Sequence, residues 1–535
     1  MWITELTDNG MNKRKANAYI KEAIKHGSLV RSEPRYTTQR ALEQEQYILQ
    51  SELSGRNIFT PIMDADAAKL RLAIGGLNKG QTEAASAVLT TKNRIIGIEG
   101  FAGTGKSHML KVAKTIIEEN GYHVQALASY GAQVKALREL GVKANTLASF
   151  LRAKDKNIND RTVLVIDEAG VVPARLMKQT LRLVEKTGVR VVLIGDTKQT
   201  KAIEAGRPFS QLQSAGMQTA YMKQIQRQKN KVLKEAVELA AKGRLTGSLK
   251  CISSIIEVKN NMERQAAIAH DYVKLPAAER SRTIIVSGTN EARRDINHAV
   301  RKGLNLAEHG VEFNILIRRD ITKAESRFSK HYYIGDIIQP EKDYAKTGLK
   351  LNELYKIENT GPNNQLTVRA KSGECFKFNP LINQKLSVYR PERIELSTGD
   401  IVRITRNDAK LGLVNGDRLK VGALKTGHIL LTDGNKQLKL ATDKPLYVDY
   451  AYATTAHSSQ GLTTERVLID INTKSLTTAK DVYYVAISRA RSEARIYTDN
   501  IKGLPKAITR ENNKSAALDI AKSKNVQKFK DHSHK

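Results

Sequence analysis

The chain has 535 residues and carries 88 Lys and Arg against 55 Asp and Glu, a formal net charge of +33, with only two cysteines, Cys251 and Cys375. That length is too great for one hydrophobic core and suggests roughly three or four domains. The charge favours a polyanionic partner, with a solvated basic surface as the plainer reading. Two cysteines exclude a disulfide framework and a Cys-rich zinc site. No apolar span of about 20 residues and no N-terminal secretory signal is present, so the expectation is a cytoplasmic protein without membrane insertion.

Residues 1–72 read as helical segments joined by polar linkers. Apolar positions recur at helical spacing in 12–25 and 38–49, and residues 27–37 between them can close as a small hairpin, which suggests a winged-helix-like unit. From 73 to 225, short apolar strands alternate with amphipathic helices in the pattern of a parallel α/β sheet. Strands are expected at 95–98, 123–128, 163–166 and 189–194, and functional groups in such sheets gather at the carboxyl ends of strands.

The first of these strands runs into Gly100-Phe-Ala-Gly103-Thr104-Gly105-Lys106-Ser107, which fits G-x-x-x-x-G-K-[ST]. The context fits as well, because an amphipathic run follows and stops at Asn120-Gly121. Glycines let backbone N–H groups close around phosphate oxygens, Lys106 can reach the β- and γ-phosphates, and the Ser107 hydroxyl can ligate Mg²⁺. ATP and Mg²⁺ are therefore the expected cofactors, with Gly103, Thr104, Gly105, Lys106 and Ser107 in contact with the nucleotide.

Asp167 and Glu168 end the third strand. Asp167 can hold the Mg²⁺ shell with Ser107 while Glu168 polarises a water for attack on the γ-phosphate. Read alone, the same pair is an ordinary helix N-cap. Gln199 closes the next strand, where its amide can sense a γ-phosphate or simply lie on the surface, and Asp196 nearby can begin a turn. Gln81, ahead of the first strand, offers an amide that could pair with adenine.

A second α/β lobe is expected in 226–330 and 446–501. Between its parts, 331–445 shows short alternating runs punctuated by Asn415-Gly416 and Asp433-Gly434, the signature of hairpins. The stretch 502–535 has nine Lys and Arg against three Asp and Glu. It reads as a disordered basic tail that either adds DNA affinity or has no role.

Taken together, Gln81, Gly100 to Ser107, Asp167-Glu-Ala-Gly170, Gly195-Asp-Thr-Lys-Gln199 and Ile225-Gln-Arg-Gln228 resemble the ordered motifs of superfamily 1 helicases. Tyr452 to Thr463, with His457, Gln460 and Gly461, and Tyr483 to Arg491 resemble their motifs V and VI. The chain is most similar to the RecD-like 1B branch, and within it to the helicase portion of MobF-class conjugative relaxase-helicases. Ala126 to Leu137, Thr146 to Phe150 and Gly399 to Asp417 point there.

The resemblance implies an α/β fold of two RecA-like P-loop lobes with a β-rich, SH3-like insertion in the second and a small helical N-terminal domain. It implies that Arg227 and Arg489 complete the nucleotide site, although each alone reads as a surface salt bridge. Gln460 and Gly461 are likewise implied to touch nucleotide. Tyr130, Thr146, Phe150 and His457 are implied to touch the DNA strand, while the helical spacing of Phe150 after Leu147 also suits a core position. Movement 5′ to 3′ on single-stranded DNA and duplex unwinding follow from the resemblance only, as do relaxosome partners, a type IV secretion coupling protein and transfer out of a bacterial cytoplasm. The histidine cluster of the family's nicking domain has no counterpart here, so the chain is expected to be the motor portion. A DNA-binding and secretion-recognition module that does not unwind is the alternative.

Overall fold

The structure is a computed structural model that describes residues 13–32, 35–199, 206–323, 325–408, 410–434, 436–511 and 516–520. The N-terminal residues examined for a secretory signal, and the basic tail from 521 onward, lie outside the described residues. The chain forms two compact units, one containing Arg301–Tyr452 and the other containing Arg14–Val300 with the chain from Ala453.

In the larger unit, a helix Lys13–Lys25, an antiparallel hairpin Leu29–Ser32/Arg35–Thr38 and a helix Gln39–Leu53 follow one another, as the sequence pattern predicts. Thr38 caps the second helix by accepting from the Ala41 N–H at 3.1 Å. The first α/β lobe is then built on a parallel sheet with strand order Lys143–Thr146, His123–Ala128, Thr162–Ile166, Arg190–Gly195, Ile95–Gly100 and Thr219–Met222. The four central strands are almost wholly buried, and their Val, Ile and Leu side chains read as apolar runs because helices cover both faces.

The second lobe is another parallel sheet, ordered Ala453–Thr455, Thr283–Ser287, Thr464–Ile471, Ala490–Thr498 and Ser254–Glu257. A buried ion pair, Arg264 Nε to Asp470 Oδ1 at 2.7 Å, ties its helix Asn261–Lys274 to a central strand. The α/β architecture with two RecA-like parallel-sheet lobes is thus present.

Two expectations are corrected. The β-rich stretch begins before 331 and ends after 445, since its compact unit runs from Arg301 to Tyr452. It holds a six-stranded and a five-stranded antiparallel sheet among the described residues, where one small subdomain was expected. Arg301 organises this unit: its guanidinium meets Asp400 at 2.9 Å and lies over the Tyr450 ring at 4.6 Å. The second correction concerns the tail. Leu504–Ile508 is a helix with Leu504, Ala507 and Ile508 buried against the second lobe, so order extends past residue 502.

Candidate nucleotide site and strand-contact residues

Parallel strands bring the ends of Ile95–Gly100, Thr162–Ile166, Arg190–Gly195 and Thr219–Met222 to one edge of the first sheet. Beyond the first of them the chain bends through Gly103 and Gly105 at φ of +81° and +79°, a region that favours glycine. Space matters too, because a Cβ on Gly103 would sit 2.6 Å from that of Arg227. The helix Lys106–Glu119 starts directly after the bend, so its free N–H groups face the loop. Lys106 Nζ rests on the Gly100 carbonyl at 2.7 Å.

Gln81 is buried beneath this loop. Its Oε1 accepts from Asn78 N at 3.0 Å in a capping box, and its Nε2 donates to the Thr104 carbonyl at 3.0 Å. Both ends of the amide are committed to protein, so Gln81 props the phosphate loop. Pairing with adenine would require both bonds to break, which corrects the reading of this residue as a base contact.

Asp167 and Glu168 stand half-buried at the end of Thr162–Ile166. Glu168 has φ +50°, an uncommon conformation for a non-glycine residue, and its side chain makes no cap hydrogen bond. Glu168 thus sits at the N-cap of the short turn Ala169–Val171 without a capping side-chain bond, while Asp167 Oδ1 accepts from the Glu168 N–H at 2.9 Å. Burial, reinforced by the neighbouring Glu168 charge, pushes the Asp167 carboxyl up to about 6, against a smaller opposing pull from Lys106.

After Arg190–Gly195, Asp196 is buried and holds the turn in place. Its Oδ1 accepts from Lys198 N at 2.9 Å, and its Oδ2 accepts from Gln199 Nε2 at 3.1 Å and Tyr484 Oη at 3.0 Å. The Gln199 Oε1 is buried with no hydrogen-bond partner among the described residues. Glu99, on the first strand, accepts from Thr197 N and Oγ1 at 2.9 and 2.8 Å and fixes the same turn from the other side.

Arg227 and Arg489 arrive from distant parts of the chain. Gln226 N and Arg227 N both donate to the Gly103 carbonyl, at 2.8 and 3.1 Å, which locks this segment to the phosphate loop. Arg227 Nη1 donates to the Ser488 carbonyl at 2.9 Å, and Arg489 Nη2 to Ser488 Oγ at 2.9 Å. Neither guanidinium forms an ion pair among the described residues, which sets aside the salt-bridge reading. Burial pushes Arg227 down to about 9, and its neighbour Arg489 adds to the shift; burial likewise lowers Arg489. Two desolvated guanidiniums, partly offset by the Glu168 charge, are poised for an anion.

A cavity of about 580 Å³ gathers these groups: its lining includes Gly103 to Ser107, Asp167, Glu168, Gln199, Arg227, Gln460, Gly461 and Arg489. The strand-contact residues fare differently. Tyr130 and His457, one from each lobe, meet with Tyr130 Oη 2.8 Å from His457 Nε2 and their rings edge to face at 5.6 Å. Thr146 is an N-cap whose Oγ1 accepts from Ser149 N at 3.2 Å. Phe150 is 5% exposed within the lobe core beside Leu147 and Leu164, so it cannot stack on a base, and the core alternative is the right one.

Tyr484 is the contact that the motifs did not single out. Its hydroxyl accepts from the Ala102 N–H at 2.8 Å and donates to Asp196, so one second-lobe side chain holds the phosphate loop and the turn at Gln199 together. Tyr483 and Tyr484 are both buried, and their partners lie hundreds of residues away in sequence.

A protein-family model described as an AAA domain matches residues 76–259, and one described as a viral superfamily 1 RNA helicase core domain matches residues 408–498. The multifunctional conjugation protein TraI of Escherichia coli K12 is 27% identical over 550 residues, covering 90% of this chain and 30% of TraI. The conjugal transfer protein TraA of Rhizobium radiobacter is 25% identical, covering 80% of this chain and 33% of its own length. The ATP-dependent RecD2 DNA helicase of Deinococcus radiodurans is 30% identical over 170 residues, covering 30% of this chain and 24% of RecD2. The chain thus spans about a third of the length of the two conjugation proteins. With paired parallel-sheet lobes and these motifs in order, the chain resembles superfamily 1 helicases, and its homologues include the TraI and TraA conjugation proteins and RecD2.

Proposed function

We propose that this chain is an ATP-dependent motor that moves 5′ to 3′ on single-stranded DNA and unwinds duplex, as the motor part of a conjugative relaxase. The observation that carries the reading is the pair of desolvated arginines without ion-pair partners, Arg227 and Arg489, facing the glycine loop across one cavity. Mg²⁺·ATP fits this donor set: glycines at positive φ, a lysine, a serine at a helix N-terminus, two carboxylates and two guanidiniums that form no ion pair among the described residues. When bound, the magnesium ion would draw charge from the phosphate oxygens.

The roles of the chain's own groups follow from their placement. Lys106 would exchange the Gly100 carbonyl for phosphate oxygen, and Ser107 and Asp167 would hold the metal. Glu168 accepts a proton from the attacking water. Gln199 turns its unpartnered Oε1 toward that water or the terminal phosphate, and Arg227 and Arg489 balance the charge that develops on transfer. Gln460 and Gly461 border the nucleotide from the second lobe.

Because Tyr484 and the two arginines belong to the half of the site remote from the glycine loop in sequence, the phosphate they meet governs how the lobes close. Tyr130 and His457 bridge the lobes at a position suited to gripping a strand, and Thr146 lies near that path. The direction of travel is the one implied by the motif resemblance. Relaxosome proteins and a secretion coupling protein are the proposed partners, in a bacterial cytoplasm; among the described residues no helix is long and apolar enough to cross a membrane.

The test uses Lys106→Ala beside the unaltered chain. DNA-stimulated ATP hydrolysis should vanish while salt-sensitive DNA binding persists, and the unaltered chain should open duplexes with 5′ single-stranded tails in preference to 3′. ATP hydrolysis without unwinding of either substrate would favour the DNA-binding and secretion-recognition alternative.

A further inference from the structure

A second cavity, about 690 Å³, lies away from the nucleotide site, between the N-terminal hairpin region and the helix Ala174–Thr187 of the first lobe. Its cationic lining is Arg40, Arg175, Lys178 and Arg182, against the single carboxylate of Glu43. On the helix, positions 175, 178 and 182 fall on one stripe. Like charges at this spacing repel one another, so an anion held in the cavity would relieve that repulsion.

Neighbouring groups position the cations. Lys178 Nζ and the Arg182 guanidinium each lie 5.3 Å from the Tyr47 ring centroid, and Tyr47 in turn hydrogen-bonds Glu185. Tyr47 thus orients the basic heads while its face is covered. No Phe, Tyr or Trp ring lines the cavity among the described residues, so it offers charge and hydrogen-bond donors but no broad platform on which a base can stack.

We propose that this groove is a second nucleic-acid site that binds the phosphate backbone of duplex DNA, independent of sequence. The excess of +33 over the whole chain favours the same partner, and charge without stacking surfaces suits a duplex, whose bases are already stacked. The site stands apart from Tyr130 and His457 and goes beyond the motor reading. It would hold the duplex part of a partly unwound substrate while the motor draws on one strand.

The test measures binding of a blunt duplex and of a single strand by fluorescence anisotropy across salt concentrations, using the full chain and the double substitution R40A/R182A. The salt dependence for duplex should become shallower by about two in log–log slope, one per phosphate contact removed, with single-strand binding and single-strand-stimulated ATP hydrolysis unchanged. Since Arg182 packs on Tyr47, Arg40→Glu alone serves as the second variant and should weaken duplex binding in the same direction. Unchanged duplex affinity and slope in both variants would overturn the proposal, and so would a loss confined to the single strand. Failure of the motor reading would appear separately, as absent ATP hydrolysis in the unaltered chain.

Discussion

At the scale of single residues, the site is a set of charges whose neighbours leave them unsatisfied. Asp167 shows the consequence most simply. Its carboxyl is raised from 3.8 to about 6, so in the nucleotide-free protein the proton is bound more tightly folded than unfolded. Its contribution to stability is full below the unfolded value and is lost as pH rises through about 6, the range in which the carboxylate proposed to hold metal becomes ionised. Affinity for Mg²⁺·nucleotide should therefore weaken as pH falls below about 6, and Asp167→Asn should flatten that dependence; a profile unchanged from pH 8 to 5 in the unaltered chain would contradict it. Tyr484→Phe removes one acceptor and one donor from a buried junction. It should cost about 1–3 kcal/mol in thermal unfolding and lower ATP turnover without changing the Lys106 side of the site.

At the scale of elements, residues flagged by motif divide into those that face the cavity and those that hold elements in place. Gln81 belongs to the second group. Gln81→Ala should lower the melting temperature and weaken binding of ATP and GTP alike, whereas an adenine contact would make the loss specific to ATP. Phe150→Ala should cost about 3–5 kcal/mol of stability through a core cavity while leaving the single-strand affinity of the folded fraction unchanged. Local sequence made the glycine bend, the four central strands and the Asp-Glu pair legible, because each depends on neighbours within a few residues. The engagement of Gln81 by Thr104, the junction of Tyr484 with Ala102 and Asp196, and the burial of Phe150 depend on partners brought together only by folding. The part of these sheets within 331–445 was legible as hairpins but not as two sheets, because alternation shows which face a residue takes and not which strands share a sheet.

For the whole molecule, the cavity proposed to hold the nucleotide is lined from two lobes by residues that span from Gly103 to Arg489. On the proposed function, that arrangement makes hydrolysis depend on lobe closure, which is the physical requirement for turning phosphate chemistry into movement. The most direct test is single-strand-stimulated ATP turnover with Arg489→Ala, measured beside nucleotide binding. A fall in turnover of ~10³ or more is expected with nucleotide affinity changed much less, because the arginine acts on charge developed in transfer. Turnover within a few-fold of the unaltered chain would contradict a site completed by the second lobe.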